Sequence, residues 1–192
     1  GTGVLTINGG KLETTQSILG DFIGGHGSVT ITSGTWTHTE DLIIGKNGTG
    51  ALEISGGEVV SGYAYIGEMA TGIGSAVVTG GTWNTSGLSV GDSGTGELEV
   101  DGGLVQSTSG FLGNRVGSHG SATVTSGTWK SDTLYVGHDG TGTLTVAEGG
   151  VVTTETLFAS LSDLQGSGII ETKGGVLDAD LTFDATHGLV QT

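Results

Sequence analysis

Three groups of residues in this chain have the types and spacing to do chemistry: a serine between two glycines, a set of late carboxylates, and a row of aromatic side chains. Gly87-Leu88-Ser89-Val90-Gly91 has the Gly-x-Ser-x-Gly form in which a strand-to-helix turn presents a nucleophilic serine. No helical pattern follows it. Both glycines belong to a repeat, and Ser89 takes the slot that Tyr65 and Phe111 fill elsewhere, so the match is accidental. Asp178 and Asp180 share a strand face, with Asp184 nearby, and paired carboxylates can serve as acid and base on a glycosidic bond. Arg115 is the single arginine and Lys173 the single lysine of the final stretch, so little is available to hold an acidic sugar. A solvated strand face is the expectation for these aspartates, and no catalytic residue is assigned. The calcium-binding phrase Gly-Gly-x-Gly-x-Asp is absent, and the loop position of Asp92 is Lys46 or His138 in other repeats. The five histidines do not cluster. No metal and no cofactor is expected.

The aromatic row is the strongest signal for binding. Leu42 and Ile44, Ala64 and Ile66, Leu88 and Val90, and Leu134 and Val136 read as inward-facing pairs of a strand. The residues between such pairs then face out: Ile18, Ile43, Tyr65, Ser89, Phe111, Tyr135 and Phe158. This predicts an exposed stripe with a step of about 4.8 Å. Monomers seldom leave a continuous apolar patch without a use. Ile43, Tyr65, Phe111, Tyr135 and Phe158 are therefore candidate contacts for a glycan, a receptor or a neighbouring domain. The alternative is a partly shielded aromatic ladder, stabilised by stacking between repeats.

The serine and the aromatic row are positioned by a repeat. Trp36, Trp83 and Trp129 close nearly the same phrase, Ser-Gly-Thr-Trp or Gly-Gly-Thr-Trp, at spacings of 47 (83 − 36) and 46 (129 − 83) residues. A shorter phrase, Gly-x-apolar-x-apolar, starts at Gly3, Gly27, Gly50, Gly74, Gly96, Gly120, Gly142 and Gly168. That makes eight units of about 23 residues, alternating between a Gly-Gly type and a Gly-Thr-Trp type. The apolar period within a unit is two, which indicates strands. Three short strands and three turns per unit make one coil of a right-handed parallel β-helix, an all-β solenoid of about eight coils and roughly 40 Å. Many of the 41 glycines fall at the turns, and the absence of proline suits continuous ladders. The tryptophans share a slot with Leu12, Val59, Val105 and Val152, which predicts that they lie indoors and want a partner for each indole N–H. Residues 1–160 read as regular coils. Residues 161–192 read as an irregular terminal coil, in which Leu161 to Gln165 lengthen coil seven and Gly168 opens the eighth phrase.

A net charge of −15, from 20 acidic and 5 basic residues, excludes the cationic surface that nucleic acid or anionic membranes require. Cysteine is absent, so rigidity must come from the ladder. No signal peptide or membrane-spanning stretch is visible, and direct membrane insertion is not expected. The chain begins with glycine, which suggests a segment of a longer protein whose partners include flanking domains.

Phrases such as Gly50-Ala-Leu-Glu-Ile-Ser-Gly-Gly57, Gly120-Ser-Ala-Thr-Val-Thr-Ser-Gly-Thr-Trp129 and Leu134-Tyr-Val-Gly-His-Asp-Gly-Thr-Gly142 resemble the β-helical repeats of bacterial autotransporter passengers and PEP-CTERM-associated surface proteins. The resemblance covers Gly1 to about Ser160. It implies an extracellular or outer-membrane location and a structural or adhesive role, with no catalytic motif to carry over.

Overall fold

The computed structural model describes residues 1–178 and 189–191, and it is a parallel β-solenoid. Coils begin at Thr2, His26, Thr49, Ile73, Thr95, His119 and Thr141, each paired in parallel with the next. The steps are 24, 23, 24, 22, 24 and 22 residues (26 − 2, 49 − 26, 73 − 49, 95 − 73, 119 − 95, 141 − 119). Because stacking is in register, each sequence position becomes a column running along the rod. Ile7, Ile31, Ile54, Val78, Val100, Val124 and Val146 form one such column, all buried.

The tryptophan column is the one the repeat predicts. Leu12, Trp36, Val59, Trp83, Val105, Trp129, Val152 and Ile170 pair in succession. The three indoles are 2%, 0% and 0% exposed, so alternating large and small side chains fill a continuous core.

Two residues further on lies a column that the apolar pattern does not announce. Thr14, His38, Ser61, Thr85, Ser107, Ser131, Thr154 and Thr172 face inward where the second strand bends into the third. All but Thr14 are buried. A buried hydroxyl needs partners, and the bend supplies them. Thr85 donates to the Gly87 carbonyl at 2.9 Å and Ser131 to that of Thr133 at 2.8 Å. Two indoles complete the column: Trp83 Nε1 donates to Ser61 at 3.4 Å, and Trp129 Nε1 to Ser107 at 3.3 Å.

In the first six coils the third strand ends at a corner glycine with positive φ, from 67° at Gly113 to 75° at Gly45. An L side chain is strained there. At Gly91 a Cβ would also sit 2.2 Å from the His119 carbonyl oxygen.

The end of the rod departs from the sequence reading. Residues 161–165 do not simply lengthen coil seven. Leu161–Asp163 form a 3-10 turn, and Leu164–Gly166 are already the first strand of coil eight, paired with Leu144 to Val146. Gly168 opens no first strand, because Ile169 pairs with Val151 and Gly168 thus stands where Gly150 stands one coil earlier. The cause is Ser160, which occupies the corner position with φ −87° and ψ 148°. Without glycine the tight corner cannot form, and the chain turns by another route.

A candidate interaction face

The third strands carry the predicted stripe in register: Ile18, Ile43, Tyr65, Ser89, Phe111, Tyr135, Phe158 and Val176. Its exposure differs from expectation at two positions. Ile43 is 3% exposed and Ser89 is 0% exposed, so neither presents a surface. The reason is reach. Aromatic rings extend beyond the ladder, whereas Ser89 is a short side chain between the longer Tyr65 and Phe111 of the adjacent coils. Tyr65, Phe111, Tyr135 and Phe158 are half-buried and form two separate groups.

In the upper group, Phe111 stacks on Tyr135 with centroids 5.0 Å apart and planes 2° from parallel. Tyr135 stacks on Phe158 at 4.5 Å and 6°. His138 meets Phe111 and Tyr135 edge-on, at 5.5 Å and 5.0 Å. Both faces of Tyr135 are thus covered, and the ladder offers ring edges to solvent. In the lower group, Tyr63 stacks on Tyr65 at 4.6 Å. Tyr63 is an outward residue that the reading of the stripe passed over. Its ring lies across Gly87, where a Cβ would fall within 2.1 Å of it, so the small residue makes room for the large one. Burial, followed by the neighbouring Tyr65 phenol, pushes the Tyr63 hydroxyl up to about 12.

Beside the aromatic column runs a polar one, set by the residues after the corner glycines: Lys46, Glu68, Asp92, Asn114 and His138. Asp92 is its hub. The carboxylate is 6% exposed and accepts from Ser89 at 3.2 Å, Ser93 at 3.4 Å, Asn114 at 2.7 Å and Arg115 Nε at 3.0 Å. Lys46 pairs with Asp21 at 3.2 Å. Glu68 Oε2 is buried without a partner. Burial raises the Glu68 carboxyl above its usual range, Lys46 opposes this, and Asp92 adds to it.

This geometry settles where Ser89 points. Its hydroxyl donates to Asp92 inside a closed site, and among the described residues no imidazole hydrogen-bonds to it. Of the late carboxylates, Asp180 and Asp184 lie outside the described residues, as does the side chain of Asp178. Among the described residues, no three His, Asp or Glu side chains converge as a metal set. No helix among them is long and apolar enough to cross a membrane. An open groove of about 450 Å³ runs between Lys130, Asp132, Glu155, Glu171 and Lys173, with Lys173 paired to Glu155.

No protein family, curated protein or solved structure matches this chain. The β-solenoid architecture therefore stands on the repeat and the ladder themselves.

Proposed function

We propose that this chain is a non-catalytic, stiff spacer within a longer bacterial surface or secreted protein of the autotransporter-passenger type. The supporting observation is the continuous parallel stacking, in register from coil to coil apart from a shift around Asn8 in the first. Seven coils share continuous inward columns and one core, so bending the rod at any coil would break ladder hydrogen bonds and core contacts together. At about 4.8 Å per coil the seven rise roughly 34 Å. Such a segment would hold flanking domains at a fixed separation from the cell. Covered ring faces in the Phe111, Tyr135 and Phe158 stack favour a stabilising role for the aromatics over a sugar platform.

A second reading, an adhesin-type module contacting a glycan or receptor, draws on the partial exposure of Tyr65, Phe111, Tyr135 and Phe158 along one side. One experiment separates the two. The chain and its Tyr65→Ala/Phe111→Ala/Tyr135→Ala variant are screened together against glycans and polysaccharides, with circular dichroism to confirm folding. The spacer reading expects no binding by either protein. Binding by the parent that disappears in a folded variant would replace it with the adhesin reading.

A further inference from the structure

The three tryptophan coils are built alike except in the first. Trp83 and Trp129 each donate to a serine 22 residues earlier (83 − 61, 129 − 107). The residue two places after each tryptophan is Thr85 or Ser131, and its hydroxyl turns onto a bend carbonyl. Around Trp36 both arrangements fail. Thr14 stands 22 residues earlier (36 − 14), but its hydroxyl accepts from Ser17, and Trp36 Nε1 is buried without a partner. Two places after Trp36 comes His38 in place of a hydroxyl.

The His38 side chain is enclosed. The residue is 4% exposed, and its ring lies 4.3 Å from the indole with planes tilted by 52°. Nδ1 is 3.1 Å from the Val60 carbonyl oxygen. A carbonyl only accepts, so Nδ1 carries the proton and Nε2 of the neutral ring is a bare lone pair. Nε2 is also buried and unpartnered. Two unsatisfied polar atoms thus share one site in the second coil, where the other tryptophan coils have none.

We propose that His38 is an acid-sensitive latch: neutral, it closes the second coil, and on protonation it loosens the N-terminal coils while the central coils stay shut. Protonation would place a charge and a second N–H in a site with no acceptor for it. The charged groups on the packed elements do not answer that charge. Lys11 and Glu13 flank Leu12 on the outward face of the first coil, Glu58 is engaged with Asn84 in the third, and Glu40 and Asp41 follow His38 in the turn. Burial, the dominant influence, lowers the imidazole below its usual range. The Val60 carbonyl opposes this, and no charged side chain contributes. The tilted indole attracts an imidazolium but cannot accept its N–H or replace its lost water.

Below pH 6.5 the unfolded imidazole binds a proton that the folded one resists. Stability of this coil is therefore full above pH 6.5 and declines as the pH falls from there through the folded value. The net charge of −15 acts oppositely, since acid relieves self-repulsion along the whole rod.

The test is amide hydrogen exchange on the intact chain at about pH 7.5 and about pH 5.5, corrected for intrinsic exchange rates, in the parent, His38→Thr and His38→Ser. In the parent, protection in the first three coils should fall on acidification, by at most about tenfold, relative to coils four to six. Both variants restore the hydroxyl of the other coils and should abolish the difference. Uniform behaviour along the rod, increased N-terminal protection in acid, or an acid response that persists in both variants would each overturn the proposal.

Discussion

The junction between coils four and five and the junction between coils seven and eight use the same ladder but close it differently. At the first, Gly91 turns with φ 69° and the next residue, Asp92, gathers Asn114 and Arg115 from the coil above. At the second, Ser160 cannot make that turn, and a 3-10 segment leads into a first strand of only three residues. The inward columns thin there too. Gly166 pairs with Val146, and Gly175 with Leu157, so two buried side chains have no successor. Ile169 and Val176, which stand in outward columns beside Val151 and Phe158, are 47% and 57% exposed. Backbone pairing alone thus maintains register, while density and closure depend on the particular residue at each column position.

The largest test of this contrast is in the tryptophan column. Trp83→Ala should destabilise the rod by about 3–5 kcal/mol, because the indole is fully buried between complete coils. Ile170→Ala, in the same column at the thin end, should cost about 2 kcal/mol. Guanidinium unfolding compares them, and equal losses would remove the distinction between the two regions. Next come the corners. Gly91→Val should cost about 1–3 kcal/mol or more from backbone strain, while Ser160→Gly should change stability by less than about 1 kcal/mol, because that turn is already made by other means. A costly Ser160→Gly would mean that the serine is needed where it stands.

The hub sharpens the comparison further. Asp92→Asn, which weakens a buried acceptor serving four donors, should cost about 1–3 kcal/mol. Arg115→Ala should cost less than about 1 kcal/mol, since that side chain is 66% exposed and solvent screens its charge. The asymmetry is measurable by thermal melts of the two single variants. The smallest effect belongs to Glu68. Its raised carboxyl opposes folding once ionised, so its contribution is best at low pH and is lost as pH rises through the folded value. Glu68→Gln should therefore raise the melting temperature slightly at pH 7, with the gain vanishing below about pH 4. A loss at pH 7 would show that the carboxylate is engaged.

Register was readable in advance because parallel in-register stacking turns sequence columns into spatial ones. Trp36, Trp83 and Trp129 could be placed beside Val59, Val105 and Val152 by counting alone. The polar column could not, since Ser61, Ser107 and Ser131 look like the solvent-facing hydroxyls of a turn. Their burial depends on a bend that brings carbonyls and indole N–H groups within reach. Exposure along the aromatic stripe was only half readable: alternation gives the direction of Ile43 and Ser89 correctly but says nothing of what leans over them. The Asp92 hub depends on side-chain reach between coils, which spacing does not encode. At the far end, Gly168 imitates the phrase that opens a coil, and only the missing corner glycine at position 160 marks the change of register.

The alternation of indole and small side chain along one column has a consequence for how such a gene can change length. Excising residues 49–94, a stretch of 46 (95 − 49), would seat Trp36 beside Val105 and leave large against small. Excising the single coil 49–72 would set Trp36 beside Trp83, two indoles competing for the room of one. Insertions and deletions in this molecule should therefore be quantised, with gain or loss of coils in pairs preserving the packing and odd numbers disrupting it.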